Sequence, residues 1–138
     1  MINGGNATVF VSNMDNAIRF YSEVLGLKLT NRFGDHWATV QAGKTLLIGL
    51  HPWSAKYPQP GTKGSVQIGL VVSRDEPIEQ LAARLRKHGV EVSDIIESAE
   101  ANYIFFADPD GNPIYVGDSD PEFDKEHEPH DAVGSVVE

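Results

Sequence analysis

The chain has 138 residues, of which 41% are hydrophobic, it contains no cysteine, and its formal net charge is −9. This length corresponds to one ordinary domain, or to two small halves that share a core. The lack of cysteine excludes disulfides, thiolate zinc sites and cysteine nucleophiles, and it suits a reducing cytoplasm, where we expect the protein to work. The first residues do not resemble a signal peptide and the apolar runs are too short to span a bilayer, so we expect no membrane association.

The negative charge is concentrated at the end of the chain. Residues 1–117 carry 12 acidic and 10 basic side chains, whereas residues 118–138 carry eight acidic and one basic. Because the main part of the chain has no basic face to neutralise phosphates, we expect no nucleic-acid partner. Residues 118–138 are predicted to form a loosely ordered acidic tail that keeps the protein soluble, with attraction of a cationic ligand as the alternative role.

The first half of the chain predicts the order strand, helix, strand, strand, strand. Residues 7–12 are rich in β-branched side chains, which favour a strand. An amphipathic helix is predicted over residues 15–25, with Asn13 or Asp15 as its N-cap and Gly26 as its end. Three more strands are predicted at residues 27–30, 37–41 and 45–51, with a hairpin turn at residues 42–44.

The second half predicts the same order of elements. Residues 66–73 have the composition of a strand, and residues 76–88 have an apolar stripe at helical spacing. Asp75 is the expected helix cap, Pro77 suits the first turn, and Gly89 ends the helix. Three further strands are predicted at residues 90–95, 103–107 and 113–117.

Equivalent positions of the two halves recur at almost constant separation. Ser12 and Ser73 end the first strands, and Gly26 and Gly89 end the helices, with offsets of 61 and 63 residues. This is a βαβββ unit used twice, which predicts an α+β fold. We expect one domain over residues 1–117, composed of a module at residues 6–51, a Pro- and Gly-rich linker at residues 52–64, and a module at residues 65–117.

Two sequence stretches carry a family resemblance. Residues 106–116 have the sequence Phe-Ala-Asp-Pro-Asp-Gly-Asn-Pro-Ile-Tyr-Val, a strand end, a tight turn and a second strand. Residues 9–27 have the pattern Val-x-Val-Ser-Asn-Met-x-x-Ala-Ile-x-Phe-Tyr-x-x-Val-Leu-Gly-Leu. Because these stretches occur in this order and the βαβββ unit is duplicated, the chain resembles the vicinal-oxygen-chelate superfamily of glyoxalases, extradiol dioxygenases and bleomycin-resistance proteins. The resemblance implies a half-open cup of mixed sheet that serves as the site, and dimers are common in the family.

The resemblance also implies where a metal would be held. The family's metalloenzymes place one ligand on the first and one on the last strand of each module, and a glutamate stands where this chain has Tyr115. Carried over residue by residue, the four positions are Asn6, Gly49, Gln67 and Tyr115. Glycine has no side chain, amides are weak neutral donors, and a neutral tyrosine is a poor ligand. We therefore expect no metal cofactor, with a divalent metal in a rearranged site as the alternative.

Histidine and aromatic residues are the remaining candidates. His51 follows Gly49 by two residues, so the two share a strand face, and it is either a general base, a displaced metal ligand or a hydrogen-bonded structural histidine. Aromatic rings favour a flat or cationic ligand through stacking and cation–π contacts. Phe105 is expected in the core. The predicted ligand-binding residues are Trp37, Gly49, His51, Trp53, Gln67, Tyr103 and Tyr115.

These observations predict a metal-independent protein that sequesters an aromatic or cationic small molecule, similar to the antibiotic-binding members of the family. The expected partners are this ligand and a second copy of the chain, in a homodimer. The alternative is an enzyme of the same superfamily, a glyoxalase-like lyase, isomerase or dioxygenase, with His51 as its candidate catalytic residue.

Overall fold

A computed structural model describes residues 5–56, 59–61, 66–72, 76–99 and 101–118. It confirms the α+β fold with two successive halves of the same element order. The elements of the first half are β1 (Ala7–Val11), α1 (Met14–Arg19), a π-helical segment (Phe20–Val24), β2 (Lys28–Phe33), β3 (Trp37–Ala42) and β4 (Leu46–Pro52). Those of the second half are β5 (Ile68–Val71), α2 (Ile78–Lys87), β6 (Ile96–Glu97), β7 (Asn102–Ala107) and β8 (Pro113–Gly117).

Each half forms its own four-stranded mixed sheet with the same topology. The strand orders are β1-β4-β3-β2 and β5-β8-β7-β6. In each sheet the first and last strands pair in parallel, whereas the other pairs are antiparallel. The registers Thr8–Gly49 and Gly69–Tyr115 are equivalent in the two halves. The two halves therefore share strand order and pairing, as the duplication predicted.

Each sheet has one face covered by a helix and one face left open. Alternate residues of the strands join a buried core with the helices, and Ile48, Leu50, Ile104 and Ile114 are each 0% exposed. Because strand side chains alternate, the residues between them lie on the opposite face. On that second face most side chains are half-buried or exposed, Thr39 is buried, and none of the helices in the described residues covers it. The open faces carry the predicted binding residues.

The first helix begins as predicted but changes its form halfway. Asn13 is its N-cap, with the Oδ1 accepting from the backbone N–H of Asn16 at 2.9 Å. From Phe20 onward the helix is π-helical, and the N–H of Leu25 donates to the carbonyl of Phe20 at 2.8 Å. A π-helical turn holds one residue more than an α-helical turn, which sequence periodicity does not reveal. Gly26 ends the segment with a φ of 89°.

One predicted strand of the second half is wrong. Residues 90–95 were expected as a strand, but only Ile96–Glu97 pairs as β6. The hydroxyl of Ser93 accepts the N–H of Phe105 at 2.9 Å and so takes the place of a backbone carbonyl. The carbonyl of Ser93 instead accepts from Arg86 at 3.0 Å. This side-chain bond competes with the strand ladder and interrupts it.

The turn between β7 and β8, residues 108–112, fastens the second half to the first. Asn112 donates through Nδ2 to the carbonyl of Phe10 at 3.1 Å, and Asp110 accepts the N–H of Ser12 at 3.0 Å. The hydroxyl of Tyr21 donates to Asp108 at 2.9 Å. This hydrogen-bonded turn therefore fixes the end of the second sheet against β1 and the first helix.

Tyr21 is held in this contact in its neutral form. The side chain is 0% exposed, and burial, followed by the charge and hydrogen bond of Asp108, raises its pKa far above the ordinary value. Asp108 is 5% exposed and accepts two further bonds from the N–H groups of Asp110 and Asn112 and one from Asn112 Nδ2. The buried carboxylate is therefore fully supplied with donors.

Three expectations remain untested. The expected cap Asp75, part of the linker at 52–64 and the acidic tail beyond residue 118 lie outside the described residues. Within the described residues, Pro77 takes the N-cap position of α2 without a side-chain hydrogen bond. The proposed boundaries of the modules remain predictions. No helix in the described part of the chain is long and apolar enough to cross a membrane.

Candidate functional site

The first open face is an aromatic surface around Gly49. We define it as the side of the first sheet that carries Phe10, Trp37, Gly49 and His51. Gly49 lies on β4 between Thr8 of β1 and Thr39 of β3. The indole of Trp37 lies directly over this glycine, where an added Cβ would stand 2.9 Å from the ring's Cζ2 and Cζ3 atoms. The lack of a side chain at position 49 therefore leaves the space that the outer edge of the indole occupies.

His51 lies between two other rings of this face. Its imidazole is 5.6 Å from the ring of Phe10 and 6.2 Å from that of Trp37, both in edge-on geometry. Its Nδ1 is 2.8 Å from the carbonyl oxygen of Pro52. Since a carbonyl oxygen only accepts, Nδ1 carries the proton at this contact, and in the neutral ring the lone pair is on Nε2. His51 is thus oriented both by packing and by one hydrogen bond.

The second open face repeats the arrangement with different residues. We define it as the side of the second sheet that carries Gly69, Tyr103, Phe105 and Tyr115. The phenol of Tyr115 lies over Gly69 of the neighbouring strand, where an added Cβ would stand 2.5 Å from both Cζ and the hydroxyl oxygen. The rings of Tyr103 and Phe105 lie 6.1 and 6.0 Å from that of Tyr115. Three rings therefore form one continuous surface.

The structure brings most of the predicted binding residues onto these two faces. Trp37, Gly49 and His51 lie on the first face, and Tyr103 and Tyr115 lie on the second. Gln67 precedes Gly69 by two residues and is exposed, in line with the second face. Trp53 follows β4, where its N–H donates to the carbonyl of Val11 at 2.9 Å, and its side chain is 42% exposed. That these residues bind a ligand stays a prediction.

The four positions equivalent to the metal ligands do not form a set of good donors. Asn6 is exposed, and its Oδ1 accepts from the Thr8 hydroxyl at 2.9 Å. The indole of Trp37 occupies the space above Gly49, and the phenol of Tyr115 occupies the space above Gly69. These residues do not fit a divalent metal, which prefers imidazole or carboxylate ligands. In the described residues, no three histidine, cysteine, aspartate or glutamate side chains are grouped so that they could hold a metal ion.

Three residues of the two faces were missed or misjudged from the sequence. Phe105 was expected in the core, but it is 38% exposed and joins the ring surface of the second face. Phe10 was not singled out, although strand alternation places it beside His51. The role of Gly69 could have been inferred from its pairing with Tyr115, since a glycine in a strand often marks a place where another group approaches closely.

Comparison with known proteins gives a consistent result. Residues 5–116 match the sequence model of the Glyoxalase/Bleomycin resistance protein/Dioxygenase superfamily. No curated protein matches the chain.

Solved structures share the fold. TnmS3, described as an antibiotic binding protein from Streptomyces sp. CB03234, is 28% identical, with a TM-score of 0.69 over 85% of this chain and 95% of that one. A glyoxalase/bleomycin resistance protein from Streptomyces sp. CB03234 is 31% identical, with a TM-score of 0.65 over 82% and 99%. Lactoylglutathione lyase from Agrobacterium tumefaciens is 16% identical, with a TM-score of 0.64 over 81% and 90%. At that identity, the likeness to the lyase concerns the fold alone.

Proposed function

This chain belongs to the Glyoxalase/Bleomycin resistance protein/Dioxygenase superfamily, and we propose that it is a metal-independent member that sequesters an aromatic or cationic small molecule. The ligand is held between aromatic rings on the open faces of the two sheets. The polar groups that orient it are the hydroxyl of Tyr115, the amide of Gln67 and the imidazole of His51. The role is that of a binding protein of the antibiotic-resistance kind, not of a catalyst.

The observation that carries this proposal is the placement of a ring over a glycine on each sheet. Trp37 lies over Gly49, and Tyr115 lies over Gly69. Aromatic rings grouped on one surface favour planar and cationic groups through stacking and cation–π contacts. Most of the lining of a small-molecule site is apolar and aromatic, with a few polar groups that set orientation. Both faces have this composition.

The comparisons support the same proposal. TnmS3, described as an antibiotic binding protein, shares 28% of its sequence with this chain over nearly its whole length. The donor chemistry at Asn6, Gly49, Gln67 and Tyr115 favours a site that works without a metal ion. Neither observation identifies the ligand.

A second copy of the chain is proposed to complete the site. Trp37 contacts His51 on the first face, and Tyr115 contacts Tyr103 and Phe105 on the second. The direct contacts between the halves run instead through the β7–β8 turn and the pair Phe20–Phe106. In the proposed homodimer, the ring surface of one chain would lie opposite that of its partner.

Fluorescence titration tests the sequestration proposal. The full-length protein is titrated with a planar cationic dye of the acridinium type and with a neutral aromatic of the same size, with tryptophan emission as the readout. We expect quenching of Trp37 and a dissociation constant in the micromolar range or below. Trp37→Ala and Tyr115→Ala should each weaken binding about tenfold, which corresponds to ~1.4 kcal/mol. The control Leu29→Ala removes a half-exposed side chain from the opposite face and should leave affinity unchanged.

We would reject sequestration if none of a panel of cationic and neutral aromatic compounds bound at high micromolar concentration. Sedimentation of the same samples, with and without dye, tests the homodimer. A monomer with full affinity would show that one chain forms the site alone.

A metal-dependent lyase or dioxygenase is the second candidate, and the orientation of His51 favours it. Its Nδ1–H contact with the Pro52 carbonyl fixes the ring in the way that outer-shell partners orient metal-binding histidines. Elemental analysis of untagged protein separates the two candidates. Stoichiometric iron, manganese, nickel or zinc that is lost in His51→Ala but kept in His36→Ala would establish a rearranged metal site. Such a result would replace the binding proposal.

A further inference from the structure

A row of aromatic side chains crosses the whole first sheet, from the outer strand β2 to β1 at the opposite edge. Phe33 of β2 is the register partner of Trp37 on β3, and His51 of β4 is that of Phe10 on β1. The register of β3 with β4 brings Trp37 beside His51, and their ring centroids are 6.2 Å apart. Directly paired residues point to the same side of a sheet, so all four rings belong to the first open face.

The extent of this row sets the extent of a molecule that can lie along it. Neighbouring strands are about 4.8 Å apart, so the four positions span about 14 Å from β2 to β1. A single aromatic ring reaches across no more than two neighbouring strands. A ligand that contacts the row from end to end is therefore elongated, with several rings in line.

Phe33 is the outermost and most exposed ring of the row. It is 61% exposed, whereas Trp37 and His51 are half-buried. The preceding residue supports its direction, because Arg32 donates to Asp15 of α1 at 2.7 Å and so points to the helix-covered side of the sheet. Single exposed apolar side chains are ordinary on protein surfaces, but Phe33 continues a line of rings, and contiguous apolar surface marks an interaction site.

The equivalent row of the second sheet holds a single ring. It runs from Ile96 of β6 through Tyr103 of β7 and Gly117 of β8 to Val71 of β5. Ile96 is 49% exposed and so resembles Phe33 in position and exposure, but it is aliphatic. A glycine stands where the first sheet has its histidine. In the part of the chain that the structure describes, the four-ring row is therefore a property of the first sheet.

We propose that the ligand is an elongated polycyclic molecule whose long axis lies along this row, and that Phe33 selects for its length. This inference rests on the proposed function, because it assigns the shape of the sequestered molecule. A compound with one or two rings is held by Trp37 and His51 and leaves Phe33 in water. A third ring in line covers Phe33, removes apolar surface from water and adds an aromatic contact.

Calorimetric titration with ions of equal charge and increasing length tests this inference. The probes are N-methylpyridinium, N-methylquinolinium and N-methylacridinium, which have one, two and three fused rings. We expect Phe33→Ala to weaken the binding of N-methylacridinium about tenfold. The same variant should change the affinities for the two shorter ions by less than about twofold. Phe33→Trp, which keeps a ring at this position, should bind N-methylacridinium at least as tightly as the unaltered protein.

Two matched variants control for the loss of an exposed apolar side chain. Leu29→Ala lies on the same strand, is 40% exposed in the unaltered protein and faces the helix side, so it should leave all three affinities unchanged. Ile96→Ala truncates the equivalent position of the second sheet and should not weaken N-methylacridinium selectively. A selective loss in Ile96→Ala, with none in Phe33→Ala, would place the long axis on the second sheet and overturn the inference.

The remaining outcomes separate this inference from the proposed function. Tight binding of the ions that is indifferent to Phe33→Ala would overturn the length selection and leave sequestration standing. Equal weakening of all three ions in Phe33→Ala would also overturn it, and a changed sedimentation coefficient would then identify Phe33 as a contact between subunits. If none of the three ions bound, both the inference and the proposed function would be contradicted.

Discussion

The indole of Trp37, on β3, occupies the space that a side chain at Gly49 of the neighbouring strand β4 would need. Gly69 and Tyr115 have the same relation in the second half. Equivalent strand positions nevertheless carry different residues, because the position of Gly49 on β4 corresponds to that of Tyr115 on β8. The glycine is on the last strand of one sheet and on the first strand of the other.

Gly49→Ala should move the indole while leaving the fold intact. The atoms that a methyl group would contact are at the outer edge of the ring, so the side chain can turn away without a backbone shift. We expect a stability loss of about 1 kcal/mol, a red shift of tryptophan emission and weaker dye binding. In the Trp37→Ala background the same substitution should have little effect on stability. If Gly49→Ala lowers the stability equally in both backgrounds, the methyl group does not displace the ring. Urea denaturation and emission spectra give both quantities.

Tyr21→Phe should destabilise the protein by about 1.5–3 kcal/mol, because it removes a hydrogen bond to a buried carboxylate. The hydroxyl of Tyr21 donates to Asp108 at 2.9 Å, and neither residue is more than 5% exposed. Tyr103→Phe is the matched control, since this half-buried ring lies on an open face, and its stability should change by less than about 0.5 kcal/mol. Equal losses in the two variants would contradict the role assigned to the buried pair. Urea unfolding curves measure both.

Stability should fall at high pH because of the same residue. Burial and Asp108 raise the pKa of Tyr21 in the folded protein, so only the unfolded chain loses this proton near the ordinary value of about 10. The stabilisation is therefore complete below about pH 10 and decreases by ~1.4 kcal/mol per pH unit as the pH rises toward the raised pKa. In Tyr21→Phe this part of the decrease should be missing. Denaturation midpoints at pH 8 to 11 compare the two proteins, and parallel curves would argue against the assignment.

Asn112→Ala should loosen the attachment of the second half to the first. Its amide donates to the Phe10 carbonyl and to Asp108, and its Oδ1 accepts the N–H of Gly61 at 2.9 Å. Loss of these bonds should cost about 1–3 kcal/mol and shift the amide resonances of β1. Asn31→Ala, on the exposed edge strand β2, should do neither. If the β1 resonances do not change in Asn112→Ala, then Asn112 does not hold the second half against β1.

Sequence reasoning predicted the duplicated fold because each half repeats the same turn and helix-end signals. Alternation along a strand put His51 on the same face as Gly49, whereas Tyr115 was assigned from the family resemblance and Trp37 as one of the aromatic candidates. Sequence reasoning could not predict that Trp37 covers Gly49, because that contact depends on the register between two strands. Phe105 was misplaced because alternation gives two faces without saying which one a helix covers. The strand at 90–95 failed because a single hydroxyl, that of Ser93, bonded to a backbone N–H.

The hydrogen-bonded turn at residues 108–112 has a consequence for how the two halves are joined. Its bonds to Phe10, Ser12 and Tyr21 join residues 87 to 102 positions apart, and they do not require the two halves to be covalently continuous. Two separate half-length polypeptides could associate through the same interactions. The peptide that joins the halves then acts as a tether, which raises the effective concentration of one half for the other.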